Sequence, residues 1–111
     1  MATYDGNREI GTDDTSRLRK SAIPGADNFA TGQVTLSTSA AVVKAANAAR
    51  RALIVKNIDA AIVVYIGVTG VTSANGMELD AGESISVNTN DAVYAVAASG
   101  TPKVAYWEEF D

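Results

Sequence analysis

From Gln33 to the C-terminus, apolar residues recur at every second position or in short unbroken runs, broken by small polar residues. "QVTLS" (33–37) sets Val34 and Leu36 on one face and Thr35 on the other. "RRALIVKNI" (50–58) is rich in β-branched residues. "AIVVYIG" (61–67) is nearly continuous in apolar residues, as expected of a strand covered on both faces. "SISV" (84–87) alternates, "NTND" (88–91) reads as a turn, "AVYAVA" (92–97) as a strand and "ASGTP" (98–102) as a turn. "KVAYWEEF" (103–110) closes the series. Short β-type runs punctuated every ~8–12 residues predict an all-β sandwich or barrel.

The segment "SAAVVKAANAARRALIV" (39–55) admits two readings. As a helix, Val42, Ala46, Ala49 and Leu53 line one face, and alanine is the best helix former. That helix would absorb Ile54 and Val55 from a good strand and put Asn47, a turn residue, at its centre. The pattern favours two strands with a turn and leaves the helix open.

Residues 1–32 have a different texture. They hold nine of the 22 charged residues, four of the nine glycines and Pro24, and their large apolar residues keep neither a two-residue nor a helical period. Such a segment cannot bury enough to fold alone. It reads either as a tail or as an extended arm that orders against a partner. In the second case Ile10, Leu18, Ile23 and Phe29 are the anchors, and Arg17, Leu18, Arg19 and Lys20 form its one basic cluster. The expected division is therefore an arm over 1–32 and a β-sandwich over 33–111.

Composition narrows the chemistry. At 111 residues and 47% hydrophobic, the chain is one small domain with a thin alanine- and valine-rich core, a size at which assembly often adds stability. A net charge of −4 without a basic face argues against nucleic acid and against an anionic membrane surface. The polar N-terminus does not read as a signal peptide, and no apolar run approaches a membrane span, so synthesis in a cytoplasm is expected. Without cysteine or histidine there are no disulfides, no thiol chemistry, no imidazole base and no histidine metal ligand. No cofactor is expected.

"GMELDAGESISV" (76–87) is the stretch that most resembles a catalytic or metal site, with Glu78, Asp80 and Glu83 beside two glycines. A Ca²⁺ loop needs acids at alternate positions, a central glycine and a closing glutamate, and that spacing is missing. A turn explains every residue. Asn75-Gly76 is a hairpin signal, Met77 and Leu79 alternate with Glu78 and Asp80, and Gly82 serves a turn before Ile85 and Val87 resume the alternation. Phosphate loops and Ser–Lys signatures are missing as well. Trp107 and Tyr106 read as core or interface residues, or as a platform for a sugar. Arg50 and Arg51, adjacent in a strand, point to opposite faces. No enzyme is expected.

The string "ARRALIVKNIDAAIVVYIGVTGVTSANGMELDAGESISV", with the closing "DAVYAVAASGTPKVAYWEE", resembles a small β module of tailed-bacteriophage structural proteins over residues 33–109. The resemblance implies a jelly-roll-like antiparallel β-sandwich preceded by an extended arm. In that module "AAVVKA" is a strand and "ANAA" a turn, which decides against the helix. It further implies a virion protein made in the host cytoplasm. The expected role is a capsid decoration (cement) protein on the outside of the major capsid protein shell, commonly a homotrimer. Tail, neck or fibre-base components and a carbohydrate-binding module are the alternatives.

Overall fold

The structure, a computed structural model, describes residues 25–111. Eight strands follow one another: β1 (Asn28–Thr35), β2 (Ala41–Lys44), β3 (Arg50–Asn57), β4 (Val64–Gly67), β5 (Met77–Leu79), β6 (Ser84–Val87), β7 (Val93–Ala97) and β8 (Lys103–Phe110). They form two four-stranded sheets, ordered β1-β8-β3-β6 and β2-β7-β4-β5, with every pairing antiparallel. The chain crosses between sheets after β1, β2, β3, β5, β6 and β7. This is the strand order of an eight-stranded jelly roll, and the expected all-β sandwich is the fold.

The inward positions are those the alternation marks. Leu53 and Val55 of β3, Val64 and Ile66 of β4, Leu79 of β5, Val93, Ala95 and Ala97 of β7 and Val104 of β8 are buried together with Leu36 and Val43. Each fully buried valine or leucine contributes about 1.5–3 kcal/mol relative to exposure. Residues 39–55 are two strands. Asn47 sits in the turn between them, where its Oδ1 accepts from Ala49 N at 3.0 Å.

Three details differ from the sequence reading. β1 begins at Asn28, so residues 28–32 pair with Phe110–Tyr106 of β8 and Phe29 is a strand residue. β4 is only four residues long. Ala61 and Ile62 belong instead to the preceding loop, where Asp59 Oδ2 accepts from their backbone N–H groups at 2.9 and 2.7 Å. Finally, Asn75-Gly76 is not a two-residue hairpin turn. It closes the nine-residue loop between β4 and β5, in which Asn75 Oδ1 accepts from Thr72 N at 2.8 Å. What requires glycine at 76 is crowding: a Cβ there would lie 2.7 Å from Tyr65 Cβ and from Val71 Cγ2.

Candidate functional site

The acidic stretch resolves into two strands and a turn, with a topology the local pattern does not reveal. β5 and β6 lie in different sheets, so the turn at 80–83 carries the chain across the sandwich. Asp80 and Glu83 clamp it: Asp80 N donates to Glu83 Oε1 at 2.8 Å and Glu83 N donates to Asp80 O at 3.0 Å. Gly82 adopts φ 82° and donates its N–H to Asn57 O, as the turn reading anticipates. Glu78, Asp80 and Glu83 are all exposed. Among the described residues no group of three or more His, Cys, Asp or Glu side chains is placed to hold a metal ion.

The buried polar chemistry lies elsewhere. Arg50 and Arg51 do face opposite ways, and Arg50 is the inward one. A bulge between Arg50 and Ala52 lets Arg50 share the inner face with Leu53 and Val55 despite its even number. Its Nε donates to Glu108 Oε2 at 2.9 Å, and Nη1 donates to Thr89 O and Asp91 O. Nη2 donates to Ala45 O at 2.7 Å. Lys44 Nζ lies 3.7 Å from Glu108 Oε1. This node joins the β2–β3 turn, the β6–β7 loop and β8. A second node is Asn57, fully buried, whose Nδ2 donates to Ile62 O and Leu79 O while its Oδ1 accepts from Asp59 N. Both nodes hold loops in place, and their hydrogen-bonding groups are turned toward the chain itself.

Asp59 is the one described acid clearly perturbed. The backbone N–H groups of Ala61, then Ile62, hold its carboxyl below the ordinary aspartate range, against a smaller opposing effect of burial.

Two surfaces among the described residues expose large apolar side chains in groups. The first is a 370 Å³ cleft between the sheets, where β4 and β5 face β6. Ile66, Val68, Met77, Ile85 and Val87 line it, and Val68 and Met77 are largely exposed at its rim. The second is the outer face of the β1-β8-β3-β6 sheet, where Phe29, Trp107 and Ile54 are exposed. Phe29 and Trp107 stack with centroids 4.8 Å apart and planes 15° from parallel. Trp107 Nε1 donates to Glu109 Oε2 at 2.9 Å. Tyr106 points the other way, packing against the core beneath Lys44, whose Nζ lies 4.7 Å from the ring centroid. Tyr106 and Trp107 therefore cannot form one platform, and the aromatic partner of Trp107 is Phe29.

Of the expected anchors, Ile10, Arg17, Leu18, Arg19, Lys20 and Ile23 lie outside the described residues, and Phe29 lies in β1 on the outer face. The cleft was not anticipated. Met77 shares its face with buried Leu79, but the alternation does not show that the sandwich opens at that end.

No protein-family model matches the chain, and no curated protein matches it. Among solved structures, it is similar to the stem and receptor-binding domain of the spike protein P1 from bacteriophage PM2. The TM-score is 0.56 and the identity 18%, over 70% of this chain and 32% of the spike chain. The match thus spans about a third of that solved chain's length. A Bacillus endospore appendage protein that forms disulfide-linked pili aligns at a TM-score of 0.45 and 20% identity, over 75% of this chain and 84% of that one. The likeness to the spike is one of fold.

Proposed function

We propose that this chain is a structural protein of a bacteriophage virion, acting by adhesion rather than by catalysis, and that it decorates the outside of the capsid shell. The observation that carries the reading is the apolar cleft between the sheets. Its rim exposes Val68 and Met77 beside a folded core, a surface suited to apolar side chains of a neighbouring protein. The exposed acids serve a turn, and the buried acid Glu108 is bound by Arg50. These roles support a protein without catalytic chemistry. The resemblance of residues 33–109 to a module of tailed-phage structural proteins, and the jelly-roll order itself, point the same way.

A second reading, a spike, tail or fibre-base component, draws on the likeness in fold to the PM2 spike domain. The two differ in position and copy number. In a reconstruction of the particle, decoration puts many copies over the head, whereas a spike or fibre-base role puts a few at vertices or at the tail. The contact is tested by co-sedimentation with expanded empty capsids of the same phage. The expected result is binding by the full chain and loss of binding by Met77→Glu, which sets a charge at the rim of the cleft without touching the core. Undiminished binding by that variant would sink the contact. We further propose a trimeric arrangement in the shell, checked by the mass of the purified protein in solution.

A further inference from the structure

The outer face of the β1-β8-β3-β6 sheet carries a slot distinct from the apolar cleft. Its geometry follows from two adjacent rows of the sheet. In one row Thr31 and Ile54 flank Trp107, and in the next Gln33 and Lys56 flank Ala105. All of these residues project outward, and the small Ala105 leaves a depression of 360 Å³ between taller neighbours. Trp107 forms one wall, Ala105 the floor, and Gln33 and Lys56 the two polar sides. The volume falls within the ~300–1,000 Å³ of small-molecule sites.

We propose that this slot binds a pyranose ring bearing a carboxylate. The indole offers an apolar π face to the C–H side of a sugar ring. It is also held in place, stacked by Phe29 on one side and tied through Nε1 to Glu109, so little freedom is lost on binding. Gln33 supplies both a donor and an acceptor for hydroxyls. Lys56 sets the charge preference: it is the sole ionisable group on the slot's polar sides, it is exposed, and it makes no ion pair among the described residues. The Lys56 ammonium beside Ala105, with the outward-facing Lys103 in the next row of β8, complements a carboxylate on the ring, while the Glu109 carboxylate is taken up by the indole N–H.

Trp107 is the only tryptophan of the chain, so its fluorescence reports on the slot directly. The full chain is titrated with trigalacturonate, with 3′-sialyllactose and with lactose as the neutral control, and binding is confirmed by calorimetry. The expected result is a saturable change in emission with at least one acidic sugar, with Kd of about 0.1–10 mM, and a response to lactose at least ~5-fold weaker. Which acid binds tells a uronate from a sialate source. Lys56→Gln, at an exposed position, should weaken acid binding by roughly 5-fold or more, as should raised salt. Ala105→Leu should fill the floor and abolish the response. No response to either acid up to ~20 mM, equal response to lactose, or indifference to Lys56→Gln would each overturn the proposal. None of these outcomes bears on capsid attachment, which is read through Met77.

Discussion

Arg50 and Glu108, 58 residues apart in sequence, meet as an ion pair at 2.9 Å with both side chains almost wholly buried. The guanidinium also satisfies three backbone carbonyls, of Ala45, Thr89 and Asp91. Removing the arginine leaves the Glu108 carboxylate only its longer contacts, Asn47 Nδ2 at 3.4 Å and Lys44 Nζ at 3.7 Å, and strands three acceptors at once. Breaking a buried pair from one side costs ~3–5 kcal/mol. Arg50→Met should lower the free energy of unfolding in urea by about that much. Glu108→Gln keeps an oxygen able to accept from Nε and should cost clearly less. Equal losses would mean that the charge on Glu108, rather than the loop anchoring by Arg50, dominates the node.

Asn57 shows the same logic without charge. Its amide donates to Ile62 O and Leu79 O inside the protein, and an unsatisfied buried polar group costs ~1–3 kcal/mol. Asn57→Ala should therefore destabilise by roughly 2–4 kcal/mol. Asn57→Asp should be worse, since it turns an acceptor toward two carbonyls. Chemical denaturation of both variants tests the order.

The parts of this structure legible in the sequence are those set by local period. Val104, Tyr106 and Glu108 alternate with Ala105, Trp107 and Glu109 along β8, and that alternation alone separates Tyr106 from Trp107 and turns Glu108 inward. What the period cannot state is which strand lies beside which. The partner of Glu108 depends on β3 pairing with β8 and on a bulge that reverses the parity of Arg50. The slot needs two registers at once, Gln33 and Lys56 both opposite Ala105. Asn75-Gly76 is misread for a related reason. The dipeptide marks a turn correctly, but the glycine is demanded by Tyr65 and Val71 packed across it, a tertiary contact with no local signal.

That crowding separates two glycines. A Cβ at Gly76 would sit 2.7 Å from Tyr65 Cβ and Val71 Cγ2 and 3.1 Å from the carbonyl oxygen of Thr72, whereas at Gly82 it would meet nothing within 4 Å and only the φ of 82° is unfavourable. Gly82→Ala should cost about 1–2 kcal/mol, the left-handed penalty. Gly76→Ala must shift packed neighbours and should cost more, about 2–4 kcal/mol by the usual scale of overpacking and added strain. Comparing the thermal midpoints of the two variants decides it.

Asp59 gives the acid limb a specific contributor. Its folded pKa lies below the usual aspartate value of 3.8 because the N–H groups of Ala61 and Ile62 favour the charged form. A depressed folded pKa means that the unfolded chain takes up this proton first as pH falls. The contribution is whole above the unfolded value and is lost as pH drops through the folded one. In Asp59→Asn the fall of the thermal midpoint between about pH 5 and pH 2 should be shallower than in the parent. Parallel curves would mean that other carboxylates govern acid unfolding.

The start of β1 at Asn28 changes where the N-terminal segment can be cut. Removing residues 1–24 leaves every described strand whole. Removing 1–32 takes Asn28–Gly32 from their partners Phe110–Tyr106 and leaves β1 with three residues. It also removes Phe29 from Trp107 and bares the edge of β8, an eight-residue strand that also pairs with β3. Lost cross-strand pairs at ~0.2–1 kcal/mol each, together with an aromatic stack of ~0.5–1.5 kcal/mol, amount to roughly 2–4 kcal/mol. The longer deletion should therefore melt about 10–20 °C below the shorter one and aggregate more readily through its exposed edge. Capsid binding can then be assigned to residues 1–24 only with the shorter deletion, because failure of the longer one would report a damaged sheet. Equal melting of the two forms would show that the first half of β1 contributes nothing to the fold.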